Sequence, residues 1–118
     1  MKAFRCTFGI LFLAIAVVST GCLEPDREGY RDMAAQDYCA EAERCNNLGD
    51  YNSVDDCEVD MRSTFNDFWP ASECSDGRID PDAYETCMNR ALNYACDGGL
   101  ADWWTAVDRC SASKVCTN

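Results

Sequence analysis

The sequence predicts an all-α fold, a small disulfide-stapled bundle of four short helices. In four segments apolar residues recur at steps of three and four, and turn residues or helix caps separate the segments. The alternating pattern typical of strands is absent. Eight cysteines are spread from Cys39 to Cys116, which suits a domain too small to be stabilised by its core alone.

The first two helices are bounded by turn and capping residues. The first is predicted to begin near Asp26 and to end at Cys45, because residues 46–50 tolerate turn geometry. The second begins after Ser53, a favoured N-cap, and ends before Pro70.

The last two helices follow a loop. Asp80 is the predicted cap of the third, with Pro81 at its first position, and residues 97–99 end it. The fourth is predicted over 100–110. Residues 111–118 are predicted to be a polar tail.

The N-terminus has the pattern of an export signal. Lys2 and Arg5 precede an apolar run over residues 8–18, which is too short to span a bilayer as a mature helix. Residues 1–21 are therefore predicted to be a signal peptide.

The residues that follow this run suggest a lipid anchor. Ser19-Thr20-Gly21-Cys22 resembles the lipobox of bacterial lipoproteins, with Ser19 where the pattern usually has Leu. The resemblance implies cleavage before Cys22 and lipidation of its side chain. Residues 22–29 are then predicted to be the lipidated N-terminus and tether, and residues 30–118 the cysteine-rich helical domain.

The number of cysteines favours this interpretation. Of the ten, Cys6 lies in the signal peptide, so nine remain, and lipidation of Cys22 leaves an even number to pair. The alternative is cleavage after Gly21 without lipidation, which would release a soluble secreted protein.

The eight remaining cysteines are predicted to form four disulfides. Helical rise excludes two pairs within single helices, Cys39–Cys45 and Cys87–Cys96. An up-and-down bundle places the cysteines in two groups at opposite ends, and pairing is predicted within each group. The groups are Cys39, Cys45, Cys57 and Cys96, and Cys74, Cys87, Cys110 and Cys116.

The charge restricts the partners. The chain has 10 basic and 21 acidic side chains, and removal of residues 1–21 takes away Lys2 and Arg5 and leaves a net charge of −13. Such a surface repels nucleic acid and anionic lipid headgroups, so we expect contact with a membrane only through the anchor at Cys22. The charge would suit a cationic partner or loosely held divalent ions, but the favoured interpretation is that it keeps a surface protein soluble. The sequence does not identify a protein or glycan partner.

No catalytic, cofactor or metal site is predicted. The chain has no histidine, and Lys114, the one lysine after the signal peptide, lies in the tail. Four carboxylates lie around one turn, but with Gly77 as the loop glycine an EF-hand would need an acid at Ala83. These carboxylates are Asp76, Asp80, Asp82 and Glu85.

Tryptophans are the predicted binding residues. Trp103 and Trp104 are about 100° apart on a helix, so one is expected in the core and the other at least partly exposed. Trp69 is a third candidate. Core packing is the competing interpretation for all three.

The layout as a whole resembles the small cysteine-rich lipoproteins of unknown function found in myxobacteria, and the resemblance implies no activity. The predicted function is that of a noncatalytic cell-surface lipoprotein, structural or binding, held at the outer membrane. The alternative is a soluble secreted disulfide-rich effector or inhibitor.

Overall fold

A computed structural model describes residues 24–98 and 100–116, and these residues form five α-helices and no strand. The disulfide-stapled all-α bundle is therefore confirmed. No helix in this part of the chain is both long and apolar enough to cross a membrane. The predicted signal peptide and Cys22 lie outside the described residues. The helices are α1 Arg27–Arg44, α2 Val54–Phe68, α3 Pro81–Asp97, α4 Leu100–Cys110 and α5 Ala112–Val115.

The predicted caps are formed by side-chain hydrogen bonds. The Ser53 side chain accepts from the Asp56 N–H at 3.1 Å, and Asp80 Oδ1 accepts from the Ala83 N–H at 2.9 Å. Each bond satisfies one of the backbone donors that the first turn of a helix leaves unpaired. These local bonds fix where α2 and α3 begin.

α1 begins near Asp26 as predicted, so the predicted division between tether and domain at residue 30 falls inside the helix. Asp26 caps α1 by accepting from the Gly29 N–H at 2.7 Å, so residues 26–29 belong to the fold and not to a tether. Arg27 then contacts the far end of α2. The Arg27 guanidinium donates to the Trp69 carbonyl at 2.9 Å, and the backbone N–H of Arg27 donates to Asp76 Oδ1 at 3.0 Å.

The helices run up and down. The Arg27 contacts join the start of α1 to the end of α2, so these two helices are antiparallel. A disulfide between Cys87 and Cys110 joins the first half of α3 to the end of α4, so that pair is antiparallel too. The two hairpins pack together through α1 and α3.

Trp69 is the centre of the core. It is fully buried, its ring centroid lies 5.1 Å from that of Phe65 and 5.8 Å from that of Tyr84, and its Nε1–H donates to the Cys110 carbonyl at 2.8 Å. Core packing, the competing interpretation for Trp69, is therefore the correct one. The indole joins the end of α2 to the end of α4.

The chain after Cys110 is not a polar tail throughout. Residues 112–115 form α5, and Val115 is fully buried. The Val115 carbonyl accepts from the Asp80 N–H at 2.8 Å, and Cys116 is disulfide-bonded to Cys74. These contacts fasten the end of the chain to the loop before α3.

A candidate binding groove beside the disulfide frame

The structure contains four disulfides among the described residues. Each disulfide joins two cysteines of the same predicted group. As expected, Cys39 is not bonded to Cys45, and Cys87 is not bonded to Cys96. The pairs are Cys39–Cys57, Cys45–Cys96, Cys74–Cys116 and Cys87–Cys110. The frame therefore holds α1 to α2, α1 to α3 and α3 to α4.

An apolar groove lies between α2 and α4. It forms because α2 packs on α1 and α4 packs on α3, which leaves α2 and α4 as facing walls. Among its lining residues are Tyr38, Phe65, Phe68, Tyr94, Trp103 and Val107. The enclosed volume is only about 20 Å³, which is room for a single water, so the groove is not a small-molecule pocket.

The two adjacent tryptophans of α4 have different environments, as predicted. Trp103 is half-buried at the groove, with its ring centroid 5.1 Å from that of Tyr94, which in turn lies 6.5 Å from that of Tyr38. Trp104 is 63% exposed. Trp103 therefore packs in the aromatic row of the groove, and Trp104 is available to a partner.

The apolar face of α4 is wider than its contact with the domain. At 100° per residue, it runs from the buried Ala106 through Trp103 and Val107 to Leu100 and Trp104. Leu100 is 73% exposed. Sequence reasoning missed Leu100, although its position four residues before Trp104 places both on one face. Together, these exposed residues extend the groove onto the surface.

Acidic side chains lie next to the groove-lining residues on both α2 and α4. Thr64 lines the groove on α2. Asp60 lies four residues before it and Asp67 three residues after it, so both are its neighbours on the helix surface. Asp108 lies four residues after Trp104 on α4. Asp67 and Asp108 are exposed. The groove therefore joins an apolar surface to a negative rim.

Two tyrosines, Tyr38 at the groove and Tyr51 in the loop before α2, are poor proton carriers. Burial, with a smaller contribution from Tyr94, raises the pKa of Tyr38 to about 12. A hydrogen bond from Tyr51 to the Asp60 carboxylate, together with burial, raises the pKa of Tyr51 to about 12. Both phenols are neutral at physiological pH, so neither adds a negative charge beside the groove.

The four carboxylates considered for calcium do not converge. Asp80 caps α3 and Asp76 accepts from Arg27, as described above. Within residues 24–98 and 100–116, three ligand-type atoms come within 4.8 Å of one another only at Glu41, Cys45 and Cys96. The two cysteines there are bonded to each other and offer no thiolate.

Comparison with known proteins places the disulfide-bonded segment in a family. No curated protein and no solved structure matches the chain. Residues 39–118 match a family model described as "Family of unknown function (DUF6184)", and this range includes all eight cysteines of the frame. Because the match covers more than half of the chain, the protein belongs to the DUF6184 family.

Proposed function

We propose that the protein is a noncatalytic lipoprotein, held at the outer membrane or cell surface by a lipid on Cys22, whose helical domain binds a protein partner in the α2–α4 groove. The observation that carries the binding role is the apolar face of α4, which leaves Leu100 and Trp104 exposed on the same face as Val107, a residue that lines the narrow α2–α4 groove. Four disulfides indicate an exported protein. Lipidation rests on the lipobox-like residues that end at Cys22.

The start of α1 limits how far the domain extends from its anchor. Residues 23–26 alone separate Cys22 from the first residue of α1, and the five residue steps from Cys22 to Arg27 reach at most about 18 Å when fully extended. The domain would therefore lie close to the membrane surface. Two or three acyl chains on Cys22 would make this attachment stable, at roughly 0.8 kcal/mol per buried CH₂.

The charge of the groove selects the class of partner. The carboxylates of Asp67 and Asp108 lie beside an apolar surface, which fits a helix or strand that carries both apolar and basic side chains. A second copy of this acidic chain would bring like charges together at the rim. An anionic membrane surface or a nucleic acid would be repelled in the same way.

Synthetic helical peptides test the groove directly. The mature lipoprotein in nanodiscs of zwitterionic lipid is titrated with two peptides that share one pattern of leucines, one with Lys and one with Glu on the polar face. We expect the Lys peptide to bind and the Glu peptide not to bind. The double variant Leu100→Ala/Trp104→Ala should weaken binding by about 30-fold, since an exposed tryptophan anchor typically contributes about 2 kcal/mol or more.

Val59 provides the matched control. It is an exposed apolar residue, 65% accessible, and at 100° per residue it lies on the opposite face of α2 from Met61 and Phe65. Val59→Ala should leave binding unchanged. Equal losses in the two variants, tighter binding of the Glu peptide, or a groove-dependent dimer in sedimentation would each contradict the proposed partner.

Fractionation tests the anchor separately. We expect the protein in the membrane fraction, released by detergent and not by high salt, and we expect Cys22→Ser to prevent membrane attachment. Recovery of the wild-type protein in the soluble extracellular fraction would contradict the anchor and favour the secreted alternative.

A further inference from the structure

One disulfide, Cys45–Cys96, is more accessible than the other three. The six cysteines of the other disulfides are buried, with 9% or less of their surface exposed, whereas Cys45 and Cys96 are both partly exposed. Cys45 is the C-cap of α1, and Cys96 lies in the last turn of α3. This bond therefore joins the ends of two parallel helices at the surface of the bundle.

An ion pair lies against the two sulfurs. Arg44 Nη2 is 3.5 Å from Cys45 Sγ and 3.8 Å from Cys96 Sγ. Glu41 Oε1 is 3.3 Å from Cys96 Sγ and 4.0 Å from Cys45 Sγ. Glu41 accepts from Arg44 Nε at 3.0 Å, and this contact holds the guanidinium over the disulfide.

These charges give the two sulfurs different reactivities in thiol–disulfide exchange. Exchange with an external thiol proceeds by attack of a thiolate on one sulfur and departure of the other as a thiolate, so a nearby cation favours the sulfur that it can stabilise. Arg44 lies closer to Cys45, and the Glu41 carboxylate lies closer to Cys96. Cys45 is therefore the better leaving group, and Cys96 is the sulfur to be attacked.

We propose that Cys45–Cys96 is a thiol–disulfide exchange site that reacts with an extracytoplasmic dithiol, while the other three disulfides are structural. One thiolate of the dithiol attacks Cys96 Sγ, the Cys45–Cys96 bond breaks, and the electron pair leaves on Cys45 beside Arg44. The second thiolate of the dithiol then attacks its own sulfur in the mixed disulfide and releases Cys96. The dithiol becomes a disulfide, and two electrons pass to the pair Cys45 and Cys96.

The contacts that hold the four main helices together remain when Cys45–Cys96 is reduced. Cys39–Cys57 and Cys87–Cys110 still close the α1–α2 and α3–α4 hairpins, and Cys74–Cys116 still holds the end of the chain. The Asn47 side-chain amide donates to the Ala95 carbonyl at 2.7 Å, which keeps the ends of α1 and α3 together without the disulfide. The two thiols therefore stay close enough to reoxidise.

Stepwise reduction tests the site. The oxidised mature protein is treated with limiting dithiothreitol, samples are quenched with iodoacetamide over time, and the labelled cysteines are located by peptide mass mapping. We expect Cys45 and Cys96 to be labelled at least about 10-fold faster than the other six cysteines, because access to the sulfur controls attack. The far-UV circular dichroism of the two-thiol form should keep the helical signal.

Two arginine variants separate the role of charge from exposure. Arg44→Gln should slow the reduction of Cys45–Cys96 by about three- to tenfold and raise the pH at which the Cys45 thiol is alkylated in the two-thiol form. Arg90→Gln, which removes an exposed arginine of α3, should change neither value. Simultaneous labelling of all eight cysteines, earlier labelling of Cys74 and Cys116, or wild-type kinetics and pH dependence in Arg44→Gln would overturn the proposal.

Discussion

At the scale of single residues, Trp69 links parts of the chain that are far apart in sequence. Its indole packs against Phe65 and Tyr84 and bonds to the Cys110 carbonyl. Core packing was one of two interpretations for Trp69, and the sequence could not decide between them, because the periodic pattern of α2 ends at Phe68 and gives no direction for the next side chain. That Trp103 and Trp104 differ in exposure could be predicted, since both lie inside a helix, but which of the two is exposed could not.

Replacing Trp69 with phenylalanine should destabilise the domain more than the same change at Trp104. Trp69→Phe removes the donor to a buried carbonyl and leaves part of the core unfilled, which together cost about 2–4 kcal/mol. Trp104→Phe alters an exposed side chain and should stay within about 0.5 kcal/mol. Urea unfolding with intact disulfides measures both, and equal effects would show that the indole of Trp69 is not the central core contact.

At the scale of helices, the boundaries that could be predicted are those fixed by local chemistry. Ser53 and Asp80 form hydrogen bonds within their own first turns, so sequence spacing was enough to find them. The grouping of cysteines followed from helix length and direction. The exact partners did not, because two pairings remain in the group that contains Cys39 once Cys39–Cys45 is excluded, and three remain in the other group. The helix α5 was missed because four residues are too few to show a period.

The cap of α2 gives a quantitative expectation at this scale. Ser53→Ala should lower the free energy of unfolding by about 1 kcal/mol, because the Asp56 N–H loses its acceptor. Ser63→Ala, an exposed change inside the same helix, should be neutral or slightly stabilising, because alanine has the higher helix propensity. Thermal unfolding followed by circular dichroism measures both variants. If Ser63→Ala lowered the free energy of unfolding as much as Ser53→Ala, the loss at Ser53 could not be attributed to the cap.

At the scale of the whole molecule, the proposed groove is a consequence of how two hairpins meet. Composition and periodicity could indicate an exposed tryptophan on α4, but not the facing wall of α2, which depends on the packing of α1 against α3. The proposed exchange site has a similar origin. Arg44 and Cys45 are neighbours in sequence, whereas Cys96 joins them only after α1 and α3 align.

The proposed anchor would connect this domain to a membrane, and its position leaves four residues between Cys22 and α1. A lipid on Cys22 uses the ninth cysteine of the exported chain, and the structural frame uses the other eight. An anchored, disulfide-stapled domain therefore requires lipidation of Cys22 and disulfide formation on the same molecule. Both leave a distinct change in mass.

The intact mass of the protein from its native membranes, with and without reduction and alkylation, tests this requirement most directly. We expect the mass of residues 22–118 plus two or three acyl chains, with no alkylation before reduction except at Cys45 and Cys96, and eight alkylated thiols after it. A chain without lipid, or one in which any of the other six cysteines of the frame is alkylated before reduction, would contradict an anchored, disulfide-stapled binding domain.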